Sequence, residues 1–241
     1  MVRYVVLTLV TTLCFLTASA QAQTLPLSEN LIDLRSNQGE QLLRESDASE
    51  AFVPLSVNFV TQENQAFCGV ASIVMVLNAM QIPAPAVPEY DPYHTFTQDN
   101  FLDEKTEPIL PREVLAHNGM TLDQLGALLG TQPVTVEIHH AADTNLEAFR
   151  SIARDYLGKE NQFVIVNYLR KAIGQEKGGH ISPLAAYDVE TDRFLILDVS
   201  RYKYPPVWVT ASELFGAMNT IDADNHDRTR GFVLVKAAPV N

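Results

Sequence analysis

The chain has 241 residues, 46% hydrophobic and 19% charged, with 13 prolines and 11 glycines, which is a composition suited to one large globular domain. It carries 29 acidic residues against 17 basic ones, a net charge of −12. That excess argues against nucleic acid and anionic membrane surfaces as partners, but it does not by itself identify a substrate.

Arg3 is followed by an apolar run from Val5 to Leu16 broken only by threonines, and "TASAQAQ" then offers small-residue cleavage sites after Ala20 or Ala22. This is the pattern of a secretory signal peptide, 1–22, too short and too weakly flanked for a spanning helix. Thr-Thr-Leu before Cys14 is not the small-residue approach of a lipoprotein anchor. No other stretch of about 18 apolar residues occurs, so residues 23–241 are expected to form a single soluble domain exported to a bacterial periplasm. Cys14 leaves with the leader, so Cys68 stands alone and no intramolecular disulfide can form. A spare thiol in an oxidising compartment asks for a reason.

Leu31–Ser56 mixes charged and apolar residues and should hold a short helix near Glu40–Arg44. Cys68–Met80 is apolar almost all round, which predicts a buried central helix, stopped by Pro83, Pro85 and Pro88. "LPREVLAHNG" and "TLDQLGALLG" read as short helices each ended by glycine, the second opening on a capping box of Thr121 with Gln124. "PVTVEIHH" alternates like a strand. Its neighbours His139 and His140 then point to opposite faces, so they are read as surface histidines rather than ligands of one metal. "TNLEAFRSIARDYLGK" has helical spacing and a second capping box, Thr144 with Glu147. Beyond it, "QFVIVNYL", "GGHISPLAAYD", "RFLILDVS", "PPVWVT" and "GFVLVKA" are short strands, interrupted by a helix capped by Thr210 with Glu213. Helices in the first half and strands in the second predict an α+β fold with a mostly antiparallel sheet.

The chain has no G-x-S-x-G elbow, phosphate loop, H-E-x-x-H or C-x-x-C. What remains is Cys68 at a helix N-terminus, where the dipole and free backbone N–H groups stabilise a thiolate. An inert core cysteine fits that position equally well when it is taken alone. Gly69 lets a substrate backbone approach. Gln62, six residues earlier, can offer an amide N–H to a developing oxyanion beside the N–H of Cys68, with Gln65 as the fallback donor. A thiolate nucleophile needs a base and the base an orienter. His180 opens one strand 112 residues downstream, after two glycines, and Asp198 ends the next strand 18 residues later. A hairpin across "DVETD" brings the start of one strand beside the end of the other, and so Asp198 beside His180.

The blocks "TQENQAFCGVASIVMVLNAM", "NYLRKAIGQEKGGHISPLAAYD" and "FLILDVSRYKYPPVWV" closely resemble the catalytic domain of phytochelatin synthases, over about Leu25 to Ala237. The resemblance implies a papain-like cysteine peptidase fold, a triad of Cys68, His180 and Asp198, and Gln62 in the oxyanion hole. It implies glutathione as substrate, attacked at its Cys–Gly bond, with a γ-glutamylcysteinyl thioester passed to a second glutathione or to water. Asp222 and Arg230 fall where that family binds the γ-glutamyl end, and Arg170 and Gly179 are further candidates beside the site; Asp224 and Arg228 are near enough to be confused with the first pair. The full-length eukaryotic members carry a cysteine-rich C-terminal half, and this chain is expected to lack it. No cofactor is expected, and cadmium or zinc would enter as the metal thiolate of glutathione. The resemblance admits a homodimer, and the short prokaryotic relatives favour hydrolysis. Two other readings predict different features. A papain-like peptidase acting on other peptides needs a cleft open to an α-linked chain, and a non-catalytic thiol or metal-binding protein needs a broken triad.

Overall fold

The computed structural model describes residues 24–238, so the expected leader and Cys14 lie outside the described residues. In chain order the elements begin with β1 (Ile32–Asp33), α1 (Asn37–Glu45), α2 (Phe52–Val57), α3 (Cys68–Ala79), α4 (Arg112–Asn118) and α5 (Leu122–Leu129). There follow β2 (Val134–His140), α6 (Leu146–Leu157), β3 (Gln162–Leu169), β4 (Gly179–Asp188) and β5 (Arg193–Ile196). The chain continues through β6 (Val207–Thr210), α7 (Ala211–Met218), β7 (Ile221–Asp222), β8 (Arg228–Thr229) and β9 (Gly231–Ala237). The expected mixture of helices and antiparallel sheet is what forms.

Among the described residues, seven strands make one sheet in the order β1-β6-β5-β4-β3-β9-β2, every neighbour antiparallel, and β7 pairs with β8 in a separate hairpin. The central strands β3, β4 and β9 read as nearly continuous apolar runs because helices cover both faces. On β2, Ile138 packs against Gly126 of α5, while His139 stacks on Phe232 of β9 with ring centres 4.8 Å apart. Successive strand residues face opposite sides, so α5 lies on one face and the Phe149–Phe232 contact sets α6 on the other. Helix α3 packs with α5 and β4, and α7 joins α6 through Phe149 and Phe215.

The buried central helix forms as expected, with eleven of its twelve residues buried. Several expectations are corrected. The helix near Leu146 is capped by Asn145, whose side chain accepts from the Ala148 N–H, and not by Thr144, since asparagine is at least as good an N-cap and shifts the start by one residue. Helix α2 carries no side-chain cap and only six residues, too few to show a period. His140 is not a surface residue: it is 3% exposed, because its face of β2 is covered by α5. Strand β5 ends at Ile196, earlier than expected. A bulge in β4 between Leu184 and Ala186 shifts the register, and the chain continues past β5 with the Leu197 N–H on the Pro183 carbonyl, carrying Asp198 beneath β4.

Gly231 sits between β2 and β3, and a Cβ there would lie 2.0 Å from the His139 carbonyl oxygen. Backbone on a paired strand cannot yield as a side chain can, so Gly231→Ala should destabilise the protein by about 1–3 kcal/mol. Urea unfolding of the two proteins checks this, and equal midpoints with equal slopes would refute it.

Candidate active site

Helix α3 begins at Cys68, and its N-cap, Phe67, makes no side-chain capping bond, so the first-turn N–H groups face the site without a side-chain competitor. One turn on, the buried Ser72 hydroxyl lies 2.8 Å from the Cys68 carbonyl and 3.2 Å from the Ile181 carbonyl, which ties the start of α3 to β4. His180 stands on β4 opposite Tyr168 of β3, whose ring meets the imidazole edge-on at 5.7 Å. Nε2 of His180 is 2.8 Å from Oδ1 of Asp198 and 3.0 Å from Oγ of Ser182, which leaves Nδ1 as the nitrogen free to serve Cys68.

Asp198 has no exposed surface, and its carboxylate is held by more than His180. Arg170 donates Nη1 to Oδ2 at 2.7 Å and Nη2 to Oδ1 at 2.9 Å, and the Ser200 N–H adds a bond to Oδ1 at 2.8 Å. The Arg170 guanidinium also donates to Gln175 and lies over the Tyr204 ring at 5.1 Å. Burial alone would neutralise Asp198, but the charges and hydrogen bonds of His180 and Arg170 outweigh it and hold the carboxyl far below its usual range. For His180, burial opposes the imidazolium and so does Arg170, yet the charge and hydrogen bond of Asp198 keep its pKa above the ordinary value. For Cys68, burial opposes the thiolate, and the hydrogen bond and charge of His180, a backbone bond from Ile181 and the charge of Arg170 overcome that penalty, so its pKa lies below that of a free thiol. Both shifts favour a thiolate on Cys68 and an imidazolium on His180, beside a carboxylate that stays charged.

Cys68, His180 and Ile181 border a cavity of about 520 Å³. A second wall is the loop and helix from His117 to Gln124, and a third is the β7–β8 hairpin with Asp222, Asp224 and Arg230. Arg230 donates to the Ile221 carbonyl at 2.6 Å, to Thr220 Oγ1 at 3.2 Å and to Asp222 Oδ1 at 3.3 Å. Its Nε is buried without a partner among the described residues. The missing side chain of Gly179 makes room for it, since a Cβ there would stand 3.3 Å from that nitrogen. A cation and an anion side by side suit a zwitterionic ligand end.

The eight candidates thus separate into groups. Cys68, His180 and Asp198 come together as the hairpin argument required, and Asp222, Arg230 and Gly179 meet at the cavity. Arg170 does not reach the cavity, because its guanidinium is consumed by Asp198; it stands behind the site and not in the pocket. Gln62 is buried with Nε2 donating to the Asn64 carbonyl at 2.7 Å and to Tyr202 Oη at 3.2 Å, while Ser200 Oγ donates to its Oε1 at 2.6 Å. Both amide hydrogens are engaged, and Gln62 is not among the residues that line the cavity. Gln65 lines the cavity, and Gly69 is filled against Met120. Arg228 turns away to Asp123 and Asp143. Sequence reasoning missed Asn167, a buried cavity residue visible as the lone amide in "FVIVNYL", and the whole His117–Gln124 wall, which carries no chemical signature.

A family model described as "Phytochelatin synthase" matches residues 22–232. The chain is 35% identical over 207 residues to "Glutathione gamma-glutamylcysteinyltransferase 1" of Lotus japonicus, covering 85% of this chain and 40% of that protein. It is 34% identical over 212 residues to "Glutathione gamma-glutamylcysteinyltransferase 2" of Arabidopsis thaliana, covering 87% and 45%. To the "Glutathione gamma-glutamylcysteinyltransferase" of Schizosaccharomyces pombe it is 27% identical over 192 residues, covering 78% and 44%. The chain spans less than half the length of each of these relatives.

Two outcomes are expected from the charge arrangement. Alkylation of Cys68 should reach half its maximal rate below pH ~8.5, the value of a free thiol, and His180→Gln should move that midpoint upward, as rates of iodoacetamide labelling against pH will show. Arg170→Met leaves a buried carboxylate short of a partner and should cost about 3–5 kcal/mol of stability, much of it recovered in Arg170→Met with Asp198→Asn. Denaturation of the four proteins of that cycle measures the coupling, and additive losses would refute it.

Proposed function

Because the chain belongs to the phytochelatin synthase family, we propose that it is a glutathione γ-glutamylcysteinyltransferase built on a papain-like cysteine peptidase fold. The observation that carries this reading is that Cys68 and His180, with Asp198 buried behind the imidazole, share one cavity with the Asp222–Arg230 pair.

The γ-glutamyl end of glutathione has a free α-amine and α-carboxylate, which Asp222 and Arg230 bind as complementary charges. The Cys68 thiolate attacks the carbonyl carbon of the Cys–Gly bond. The oxyanion that forms takes hydrogen bonds from the Cys68 N–H and from Gln62 as it leaves Tyr202. The C–N bond then breaks, the leaving glycine amine takes the His180 proton, and a γ-glutamylcysteinyl thioester remains on Cys68. His180, now neutral, takes a proton from the amine of a second glutathione or from water as either attacks the thioester, giving a phytochelatin or γ-glutamylcysteine. Asp198 and Arg170 stay ionised throughout and keep the imidazole in one orientation. Cadmium or zinc enters as the thiolate complex of glutathione, thus as part of the substrate. We also read residues 1–22 as a leader that delivers the protein to a periplasm.

Incubating the mature protein with glutathione, with and without cadmium, and identifying products by mass tests the reading. Glycine should be released with γ-glutamylcysteine or its oligomers, and Cys68→Ser should abolish release. No glycine from the parent, or undiminished glycine from the serine variant, would overturn the proposal. Asp222→Asn and Arg230→Met should each raise KM roughly 10- to 100-fold, the value of one charge-assisted hydrogen bond, with a smaller effect on kcat.

A further inference from the structure

We infer that the cavity reads one end of its ligand and not the other: the end that receives the leaving group carries no fixed charge, so the substrates are γ-glutamylcysteinyl amides in general, with or without a free carboxylate on the residue that leaves. This deepens the proposed function and rests on it, because that reading supplies the ligand.

The cavity has two ends, with Cys68 and His180 between them. One end is fixed by the hairpin, where Arg230 donates to Asp222 and Gly179 leaves room for the guanidinium. The start of α5 belongs to this end, since Asp123, flanked by the cavity residues Thr121 and Gln124, accepts from Arg228 of β8 at 3.2 Å. The other end lies where residues 64–66 meet residues 110–119. A Cβ on Gly119 would stand 3.6 Å from the Ala66 carbonyl oxygen, and the Arg112 guanidinium lies 5.9 Å from the Phe67 ring. Residues 64–66 run almost directly into Cys68, so this end begins at the nucleophile. A ligand with its γ-glutamyl end on Asp222 and Arg230 and its cysteine carbonyl at Cys68 therefore extends whatever follows the scissile bond toward residues 64–66 and 110–119.

The two ends differ in charge. Glutathione brings two carboxylates, but the described residues that border the cavity include one arginine, Arg230, and no lysine. The acids among them, Asp222 and Asp224, are both on the hairpin. The far end is bordered by Leu110 and Val114, with Gln65, His117 and Asn118 as polar groups. Arg112 does not border the cavity, because its guanidinium donates to Asp99. His117 Nδ1 lies 2.7 Å from the Glu113 carbonyl of its own helix and donates to it, which leaves Nε2 for the cavity. Val114 is 45% exposed, so this end opens to solvent and has room for a longer group.

A carboxylate entering the far end exchanges water for neutral donors and meets no cation. An amide or ester carbonyl accepts from the same donors without the desolvation cost of a charge. At the hairpin, by contrast, the nearly buried Arg230 offers a charge-assisted bond. Recognition is thus concentrated on the acyl group that stays on Cys68. The chemistry is unchanged: Cys68 Sγ bonds to the cysteine carbonyl carbon, the C–N bond breaks, the leaving amine takes the His180 proton, and water hydrolyses the thioester to γ-glutamylcysteine.

The test compares three compounds: glutathione, glutathione whose glycine carboxylate is an amide, and glutathione whose γ-glutamyl α-carboxylate is an amide. Amine release by the full-length protein gives kcat/KM, and calorimetric binding to Cys68→Ala gives a Kd free of leaving-group reactivity. The glycine amide should match glutathione within about threefold on both measures, whereas the γ-glutamyl amide should lose at least about tenfold. Val114→Arg, which puts a cation at the far end, should shift the preference toward glutathione over its glycine amide by at least about threefold. A loss of about tenfold or more for the glycine amide, or equal losses for the two amides, would overturn the inference, as would an unchanged preference in the arginine variant. If that loss disappears in His117→Gln, the imidazole reads the carboxylate and the far end is not neutral. Glutathione neither cleaved nor bound overturns the proposed function and this inference with it; glutathione cleaved and its glycine amide refused overturns this inference alone.

Discussion

A carboxylate with no exposed surface stays charged in this protein, and the site is arranged around the means of keeping it so. Moving Asp198 out of water costs several kcal/mol, which only well-placed cations and N–H donors can offset. Arg170 supplies two parallel bonds, Ser200 a backbone N–H and His180 the remaining donor. Arg170 is itself fixed by Gln175 and by the Tyr204 ring, so the whole cluster is rigid. Because Asp198 cannot relax, His180 has one orientation and one favoured charge, and the thiolate of Cys68 follows from that charge. Tyr168, buried against the imidazole edge, is kept neutral by desolvation and adds shape without charge.

The scaffold converts packing into this registration. Helix α3 is apolar because it runs through the core, and its first residue is therefore as fixed as its last. Ser72 joins that helix to β4 at the carbonyls of Cys68 and Ile181, so nucleophile and base ride on two elements that share a hydrogen bond. The cavity's other walls are more loosely built: a hairpin of two-residue strands and a pair of short helices, joined through polar contacts instead of a continuous sheet. Oppositely charged pairs recur at increasing exposure, from Asp198 with Arg170, through Asp222 with Arg230, to Asp123 with His140 and Arg228.

Much of the fold was legible along the chain. The capping box of Thr121 and Gln124, the apolar period of α3 and the short β-branched runs are local signals, and each marks an element that forms. The errors share one cause: the deciding energy lay elsewhere in the molecule. Asn145 displaced Thr144 by a single residue, a choice between two good caps that only the path of the chain into α6 resolves. His140 looked like one half of a surface pair until α5 covered its face of the sheet. Arg170 carries no local mark that it faces a carboxylate 28 residues away instead of the cavity.

By itself, the sequence determined the types of chemistry: a thiol at a helix start, a histidine opening one strand and an aspartate after the next, with spacing that a hairpin could close. These are matters of residue type and short-range period, which survive without knowledge of the neighbours. Only the tertiary structure decided the assignments that depend on what each polar atom has left to bond. Among the described residues, Gln62 has both amide hydrogens engaged, Arg230 has a nitrogen without a partner, and Arg170 has been consumed by Asp198. The physical reason is that a buried donor or acceptor must be satisfied by whatever folding brings to it, and such partners lie far away along the chain.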